Sequence, residues 1–337
     1  MSDTPLALMY NGDFAVSIFF VLSGYVISGA LRRSPRPIIE SVVLRYIRLA
    51  LPAFASCVFA WLLLQLNSGS LVAAKKIDAS QWLTYAFDDT SVPFSSPVVD
   101  GLFGIFASGG TLLNNALWTM KLELIGSCML YLIYSKYLVS RRVVALILIV
   151  PLSFGLHRPE YGAFAIGALI QEARAVDRIG PFALPMLICG LLVGSTMPGI
   201  ADRVPALKML AHLPDDLKVG QPHKIWHIVA AGAVIYAVIG LPKVARWCAR
   251  APFRFLGRIS FGLYLTHVPM IYYLFSNLYV GLPVSPDIRL IVMLSVYAPS
   301  IIAAGYVMTV LVDEPTLKLI KVLRSIRQQP RDAVPAP

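Results

Sequence analysis

The feature that most constrains this chain is a succession of apolar stretches separated by short polar or basic segments. About 20 mostly apolar residues in a helix cross the hydrocarbon core of a bilayer, and a span must satisfy its own backbone hydrogen bonds. The 337 residues are 57% hydrophobic and 14% charged, with a mean hydropathy of +0.71. We therefore predict an all-α, polytopic membrane bundle of about nine helices, at 13–31, 49–66, 116–134, 143–157, 160–172, 181–197, 225–241, 259–276 and 288–312.

Two segments fit this pattern less well. The 160–172 stretch is short for a span and is also compatible with a core or re-entrant helix. Residues 67–115 form a long, mostly uncharged loop, and we expect its 101–113 portion to dip into the membrane. The predicted organisation is one membrane domain over 1–317 and a basic tail over 318–337.

The basic residues predict the orientation of the chain. The net charge is +11, and if the first span runs inward and the rest alternate, 20 of the 29 Lys and Arg residues fall inside and eight outside. Such a positive-inside bias predicts a cytoplasmic C-terminus. Membrane lipid is then the partner of these charges, and we expect no nucleic-acid partner.

The four cysteines do not suggest a metal or disulfide site. Cys57, Cys128 and Cys189 lie in apolar stretches and Cys248 in a basic loop, with no metal or redox spacing. We expect small buried side chains, no metal and no bound cofactor.

The first span carries small and polar residues on one stripe. Ser23 and Gly24 recur five residues later as Ser28 and Gly29, a pattern that lets helices approach closely. Ser23 serves either this packing or, as a hydroxyl, an internal polar path.

A pair of arginines follows. Arg45 and Arg48 are three residues apart and share a helix face. Two guanidinium groups there could hold phosphates, or they could simply anchor the inner end of the span.

The middle motif, at 117–123, places an acidic residue, Glu123, within a predicted span. Counted from Ala116 at 1.5 Å per residue, Glu123 lies roughly 10 Å below the outer surface. An intramembrane carboxylate is a candidate functional group, either as a charge partner or as a binder of acceptor hydroxyls. Lys121 points to another face and is expected to snorkel outward. Trp118 either stacks on a sugar or is an ordinary interfacial tryptophan.

The late motif places three polar side chains on one helical stripe, namely Ser260, Tyr264 and His267 at i, i+4 and i+7. This spacing favours the lining of a polar cavity. We expect Pro269 to kink the helix just after His267 and to free a backbone carbonyl.

In this order, the runs Phe-Phe-Val-Leu-Ser-Gly-Tyr (19–25), Leu-Trp-Thr-Met-Lys-Leu-Glu (117–123) and Ile-Ser-Phe-Gly-Leu-Tyr-Leu-Thr-His-Val-Pro (259–269) resemble the acyltransferase-3 family. Its members are membrane enzymes that acylate sugar hydroxyls of surface polysaccharides. The chain departs from the family pattern at Ser17 and Phe261, where the family often has Asp and Tyr, and Glu314-Pro315 matches only loosely, so capping or bridging to the following lysines is expected of Glu314.

The resemblance implies a bacterial inner-membrane O-acyltransferase, with acetyl-CoA or another acyl-CoA as donor and a glycan or glycolipid as acceptor. Arg45 and Arg48 would bind the donor, and Glu123 with His267 would be an acid/base pair. The remaining expected substrate contacts are Ser23, Trp118, Ser260 and Tyr264.

One family element has no counterpart. The family typically has ten helices and a catalytic His in the first, whereas residues 1–10 contain neither His nor Arg. Nine spans with a cytoplasmic C-terminus also leave the N-terminus outside, so we expect a helix lost before Met1. Two alternatives stay open: a multi-span transporter or flippase, and a non-catalytic relative that keeps the fold.

Overall fold

The computed structural model describes residue 8 and residues 11–34, 37–77, 81–84, 86–177, 180, 182–196 and 222–328. The regular secondary structure of these residues is helical, without a β-strand among them, so the predicted all-α class is confirmed. The segment before residue 8, with residues 9 and 10, lies outside the described residues, as do residues 329–337 of the predicted tail. The described part of that tail continues a helix.

The chain divides into two compact units. Unit one comprises residues 1–42 and 125–250, and unit two comprises residues 43–124 and 251–337. Helices α2 (Ile38–Ile77) and α6 (Thr119–Ile133) cross this division. The other helices of unit one are α1 (Gly12–Arg33), α7 (Arg142–Gly155), α8 (Pro159–Ala175), α9 (Ala183–Gly194), α10 (Pro222–Gly240) and α11 (Pro242–Cys248).

Unit two contains both short and long helices. They are α3 (Gln81–Thr84), α4 (Ser95–Val99), α5 (Ile105–Ser108), α12 (Ala251–Pro269), α13 (Ser276–Gly281), α14 (Pro286–Met308) and α15 (Glu314–Gln328). Three wider, π-helical segments join neighbouring α-helices: Asp100–Gly104, Met270–Phe275 and Thr309–Asp313. A 3₁₀ turn, Asn115–Trp118, leads into α6.

The described part of each predicted apolar stretch is mainly helical, but the helices differ in length. Among the described residues, five are long and apolar enough to cross a membrane: Gly12–Arg33, Ile38–Leu66, Asn115–Ile133, His223–Gly240 and Ile291–Ile326. The helices at the predicted fourth, fifth and sixth spans have 14, 17 and 12 residues. The count of nine spans therefore stays a prediction.

In unit one, α1 and α8 touch through their backbones. A Cβ at Gly24 would overlap the carbonyl oxygen of Phe164, and one at Gly167 would overlap that of Val21. Ser28 is buried and donates to Gly24 O at 2.7 Å. The small-residue stripe therefore packs helices, and most of α8 is buried, as expected for a core helix.

The helix ends of unit one are fixed by polar contacts. At one end, Glu172 of α8 accepts hydrogen bonds from Arg32, from Tyr134 (2.7 Å) and from Arg142 (3.0 Å). At the other end, Asn11 donates to the carbonyl of Gly194 at 3.0 Å. The end of α1 thus meets the end of α8, and its start meets the end of α9, as alternating spans require.

Candidate active site

Four parts of unit two contribute polar or charged side chains to one cluster. They are the N-terminal part of α2, the first half of α6, the second half of α12 and the π segment that follows α14. The cluster contains Arg45, Arg48, Thr119, Glu123, Phe261, Tyr264, His267 and Asp313.

Arg45 and Glu123 form an ion pair in which Arg45 Nη2 donates to Glu123 Oε1. The Glu123 side chain is 1% exposed and that of Arg45 is 19% exposed. Glu123 is thus a charge partner, one of the two roles predicted for it. The pair also puts both residues at one depth. The sequence-based placements of Glu123 near the outer surface and of Arg45 at the inner end therefore cannot both hold, and the one for Glu123 was wrong.

Arg48 has a different carboxylate partner. Its guanidinium donates to Asp313 at the end of the π segment Thr309–Asp313, and lies 5.0 Å from the ring centroid of Phe261. Asp313 is buried and was not singled out from the sequence. An acid directly after the apolar run Val310-Leu311-Val312 was the available signal.

Tyr264 connects the middle and late motifs. Its hydroxyl donates to the carbonyl of Ala116, and lies 2.6 Å from Thr119 Oγ1. Its ring lies parallel to that of Phe261, with centroids 6.4 Å apart, and 5.9 Å from that of His267. The three rings follow one another along α12, so Tyr264 holds this row against α6.

The hydrogen bonds of His267 define its neutral form. Nδ1 lies 2.8 Å from the carbonyl oxygen of Tyr264 and 3.2 Å from that of Leu263. Carbonyl oxygens only accept, so we assign the proton to Nδ1, which leaves the lone pair of the neutral ring on Nε2. Within the described part of the chain, no hydrogen bond to Nε2 competes for that lone pair.

Pro269 frees a backbone carbonyl, as predicted, and the helix changes type after it. Proline has no N–H, so the carbonyl four residues earlier, that of Leu265, loses its helical partner. Ser56 and Asn114 donate to this oxygen at 2.6 and 3.1 Å. Beyond Pro269 the chain continues as the π segment Met270–Phe275. The freed carbonyl therefore ties α12 to α2 beside His267.

The remaining predicted site residues are Ser260, Trp118 and Ser23. Ser260 is exposed, and its hydroxyl donates to Gly257 O of its own helix at 2.9 Å, so the polar stripe reduces to Tyr264 and His267. Trp118 is half-buried at the end of the 3₁₀ turn. Ser23 is half-buried on α1 and belongs to unit one.

Two predicted side-chain roles can be compared with tertiary contacts. The Nζ of Lys121 donates to the carbonyl of Ala107 at 2.5 Å, and its outward snorkelling stays a prediction. Glu314 accepts from Arg258 on α12, with Nη2 at 2.6 Å, instead of from the lysines that follow it, so that predicted ion pair was wrong. Both side chains therefore have a tertiary partner.

No group of three or more His, Cys, Asp or Glu side chains in the described ranges is arranged to hold a metal ion. The ionisable groups of the cluster are its two arginines, its two carboxylates and the imidazole of His267.

Comparison with known proteins identifies the chain at the level of its family. No curated protein and no solved structure matches it. The profile of one family, described as an acyltransferase domain (acyltransferase family 3), matches residues 2–312. That match includes all the residues of the cluster except Asp313, because it ends at residue 312. The chain thus belongs to the acyltransferase-3 family and is, at that level, a membrane acyltransferase.

Proposed function

We propose that the protein is an O-acyltransferase of a bacterial inner membrane. It would move an acetyl or similar acyl group from cytoplasmic acyl-CoA to a hydroxyl of a cell-surface glycan or glycolipid. The single observation that carries the proposal is that one cluster of unit two contains two partly exposed arginines and a histidine with an available Nε2.

The donor side of the proposal rests on the arginines. A guanidinium has five N–H donors, more than one carboxylate can accept. Arg45 and Arg48 are 19% and 21% exposed at the side chain, so part of each remains reachable by phosphate oxygens. Glu123 and Asp313 would then hold the two forks in position, and the donor phosphates would add to these contacts without replacing them.

The base in this proposal is His267. Its Nε2 would take the proton of the acceptor hydroxyl while the hydroxyl oxygen attacks the thioester carbonyl. The new C–O bond forms, the C–S bond breaks, and the coenzyme A thiolate leaves and takes up a proton. Tyr264 is a positioning residue, since its hydroxyl already bonds α6.

The direction of transfer follows from the order of residues on α12. Phe261, beside Arg48, precedes His267 by six residues, which is about 9 Å along a helix. Arg258 and its partner Glu314 lie further toward the start of α12. With the C-terminus cytoplasmic, the donor phosphates would lie on the inner side and the base further outward, where an acceptor from the cell surface would arrive.

The experiment is acyl transfer by the purified protein in proteoliposomes, with radiolabelled acetyl-CoA and glycolipid acceptors extracted from the native membrane. His267→Asn retains a donor at the Nδ1 position but has no base. We expect kcat to fall about 100-fold or more, with KM for acetyl-CoA within about twofold.

An unchanged kcat in His267→Asn would remove the base assignment. If the wild-type protein transfers no acyl group but moves the glycolipid between leaflets, it is a flippase and the proposed function is wrong. Failure in both assays, with a folded protein, would identify a non-catalytic member of the family.

A further inference from the structure

The segment between α2 and α6 runs along α2 toward the N-terminal end of that helix and then turns back. Its contacts start near the end of the candidate span Ile38–Leu66, where Gln65 donates to Thr90 O at 3.1 Å and Trp61 donates to Val92 O at 2.9 Å. Further on, a Cβ at Gly101 would overlap the backbone of Phe54. These partners on α2 come in descending order, so the segment runs antiparallel to α2.

The segment reaches α2 at Tyr46, which lies between Arg45 and Arg48 in the sequence. Tyr46 donates to Leu102 O, and its ring lies 5.1 Å from that of Phe106. Gln65 and Tyr46 are 19 residues apart, about 28 Å along α2, against a hydrocarbon core of about 30 Å. The chain then returns, because Asn114 donates to Ser56 Oγ at 2.8 Å, about 15 Å back along α2. Residues 90–114 thus form a re-entrant segment.

The tip of this segment is residues 107–110, and it is ordered by its own hydrogen bonds. Helix α5 ends at Gly109, whose φ of 85° suits glycine. The hydroxyl of Ser108 donates to Gly104 O at 2.8 Å and accepts from Gly110 N at 3.2 Å. Lys121 donates to Ala107 O at 2.5 Å. The tip is therefore fixed to α6 two residues before Glu123.

The tip itself is open. Ala107, Ser108 and Gly110 are exposed, and a Cβ at Gly110 would meet no atom within 4 Å. Irregular backbone at membrane depth is tolerated only where it is buried in protein or lines a water-filled cavity. Because these tip residues are exposed, the second condition must hold for them.

We infer that the 107–110 tip and Lys121 line an aqueous passage that receives the pantetheine arm of the acyl-CoA donor; this assignment of the ligand rests on the proposed function. The arm is uncharged and carries two amides, which need hydrogen-bond partners on leaving water. Ser108, the backbone of two glycines and the Lys121 ammonium supply donors and acceptors. Tyr46, which contacts the segment, lies between Arg45 and Arg48 in the sequence, and Lys121, which holds the tip, lies two residues before Glu123; the tip is thus close to the proposed phosphate site, within reach of the arm.

The first test measures water access and donor protection without measuring acyl transfer. In a background with the four native cysteines replaced by serine, Gly110→Cys is reacted with a membrane-impermeant maleimide in proteoliposomes, with and without coenzyme A. Gly69→Cys is the matched control, because a Cβ at Gly69 also meets no atom within 4 Å and this residue lies toward the other end of α2.

We expect Gly110→Cys to react from the side of the C-terminus, and coenzyme A to slow its labelling at least fivefold. The labelling of Gly69→Cys should not change with coenzyme A. Absence of labelling at Gly110→Cys would overturn the passage, and labelling without protection would overturn the donor assignment. Protection by coenzyme A in a protein that transfers no acyl group would support this inference while the proposed function fails.

The second test fills the open space next to Gly110 with a larger side chain. Gly110→Leu should raise KM for acetyl-CoA about tenfold while kcat changes by less than about twofold, because the phosphates and His267 are untouched. Gly69→Leu should leave both constants unchanged. An unaltered KM in Gly110→Leu, in a protein that expresses and purifies like the wild type, would contradict the assignment of the tip to the donor arm.

Discussion

Glu123 of α6 is almost completely buried, and it accepts a hydrogen bond from Arg45 of α2. A carboxylate in that environment is expensive without a cation, since desolvation penalises the charged form. The cation is less buried than the acid, so the two partners are not equivalent. Loss of the arginine leaves a buried charge, whereas loss of the acid leaves a cation that still reaches the surface.

The first prediction follows from this asymmetry. Arg45→Met should destabilise the protein by about 3–5 kcal/mol, and Glu123→Gln by less. Thermal unfolding in detergent, followed by intrinsic fluorescence, measures both. The double variant Arg45→Met/Glu123→Leu should recover part of the loss, because it removes the buried charge as well. Equal stability of Arg45→Met and the wild type would show that the ion pair does not hold α2 against α6.

The arginine pair shows what sequence periodicity can and cannot predict. The three-residue spacing of Arg45 and Arg48 predicts that both face one site, and each of them forms an ion pair with an acid of the cluster. It does not indicate their partners, because Glu123 and Asp313 are 78 and 265 residues away along the chain. Pairing over such separations is decided by tertiary packing, which the pattern of a single helix does not encode.

The predicted depth of Glu123 in the membrane was wrong for a specific reason. The sequence estimate counted from Ala116 as if the span began at the outer surface. In the structure, the residues just before Ala116 are held against the candidate membrane span of α2, because the Asn114 side chain donates a hydrogen bond to the Ser56 hydroxyl. The re-entrant segment brings the chain to this level before α6 begins. The apolar dip at 101–113 was predicted, but its consequence for the start of α6 was not.

Asp313 was missed because of a change in helix type. The chain winds as a π-helix over Thr309–Asp313, which inserts about one extra residue per turn. An α-helical projection from α14 therefore assigns the wrong face to residues at the end of this segment. The sequence analysis considered Glu314, because it belongs to the looser family motif. The residue that pairs with Arg48 is its neighbour, Asp313.

The second prediction concerns the carbonyl of Leu265. Asn114→Leu removes one of its two donors, at 3.1 Å, and should cost about 1–3 kcal/mol because a buried acceptor loses a partner. In a Pro269→Ala background, the restored N–H of residue 269 can bond this carbonyl within the helix. A double-mutant cycle in thermal unfolding should then show a smaller cost for Asn114→Leu. Equal costs in both backgrounds would mean that proline does not create the need for Asn114.

The third prediction separates the charge of Arg48 from its shape. Arg48→Lys keeps a cation beside Asp313 but has no planar fork to share with a phosphate. We expect KM for acetyl-CoA to rise about tenfold, with unfolding temperature close to that of the wild type. Arg258→Lys is the matched control, because Arg258 also pairs with an acid of the last helix, Glu314. If both variants raise KM equally, a general loss of positive charge density explains the effect and Arg48 has no special role.

The fourth prediction tests the contact between α1 and α8 in unit one. A Cβ at Gly167 would overlap the carbonyl oxygen of Val21, and neither backbone can yield without separating the two helices. Gly167→Ala should therefore prevent recovery of a monodisperse protein by size-exclusion chromatography in detergent. At Gly155 a Cβ meets no atom within 4 Å, so Gly155→Ala should elute like the wild type. A monodisperse Gly167→Ala protein would show that α1 and α8 are not packed this closely, and the small-residue stripe around Gly24 would then need another explanation.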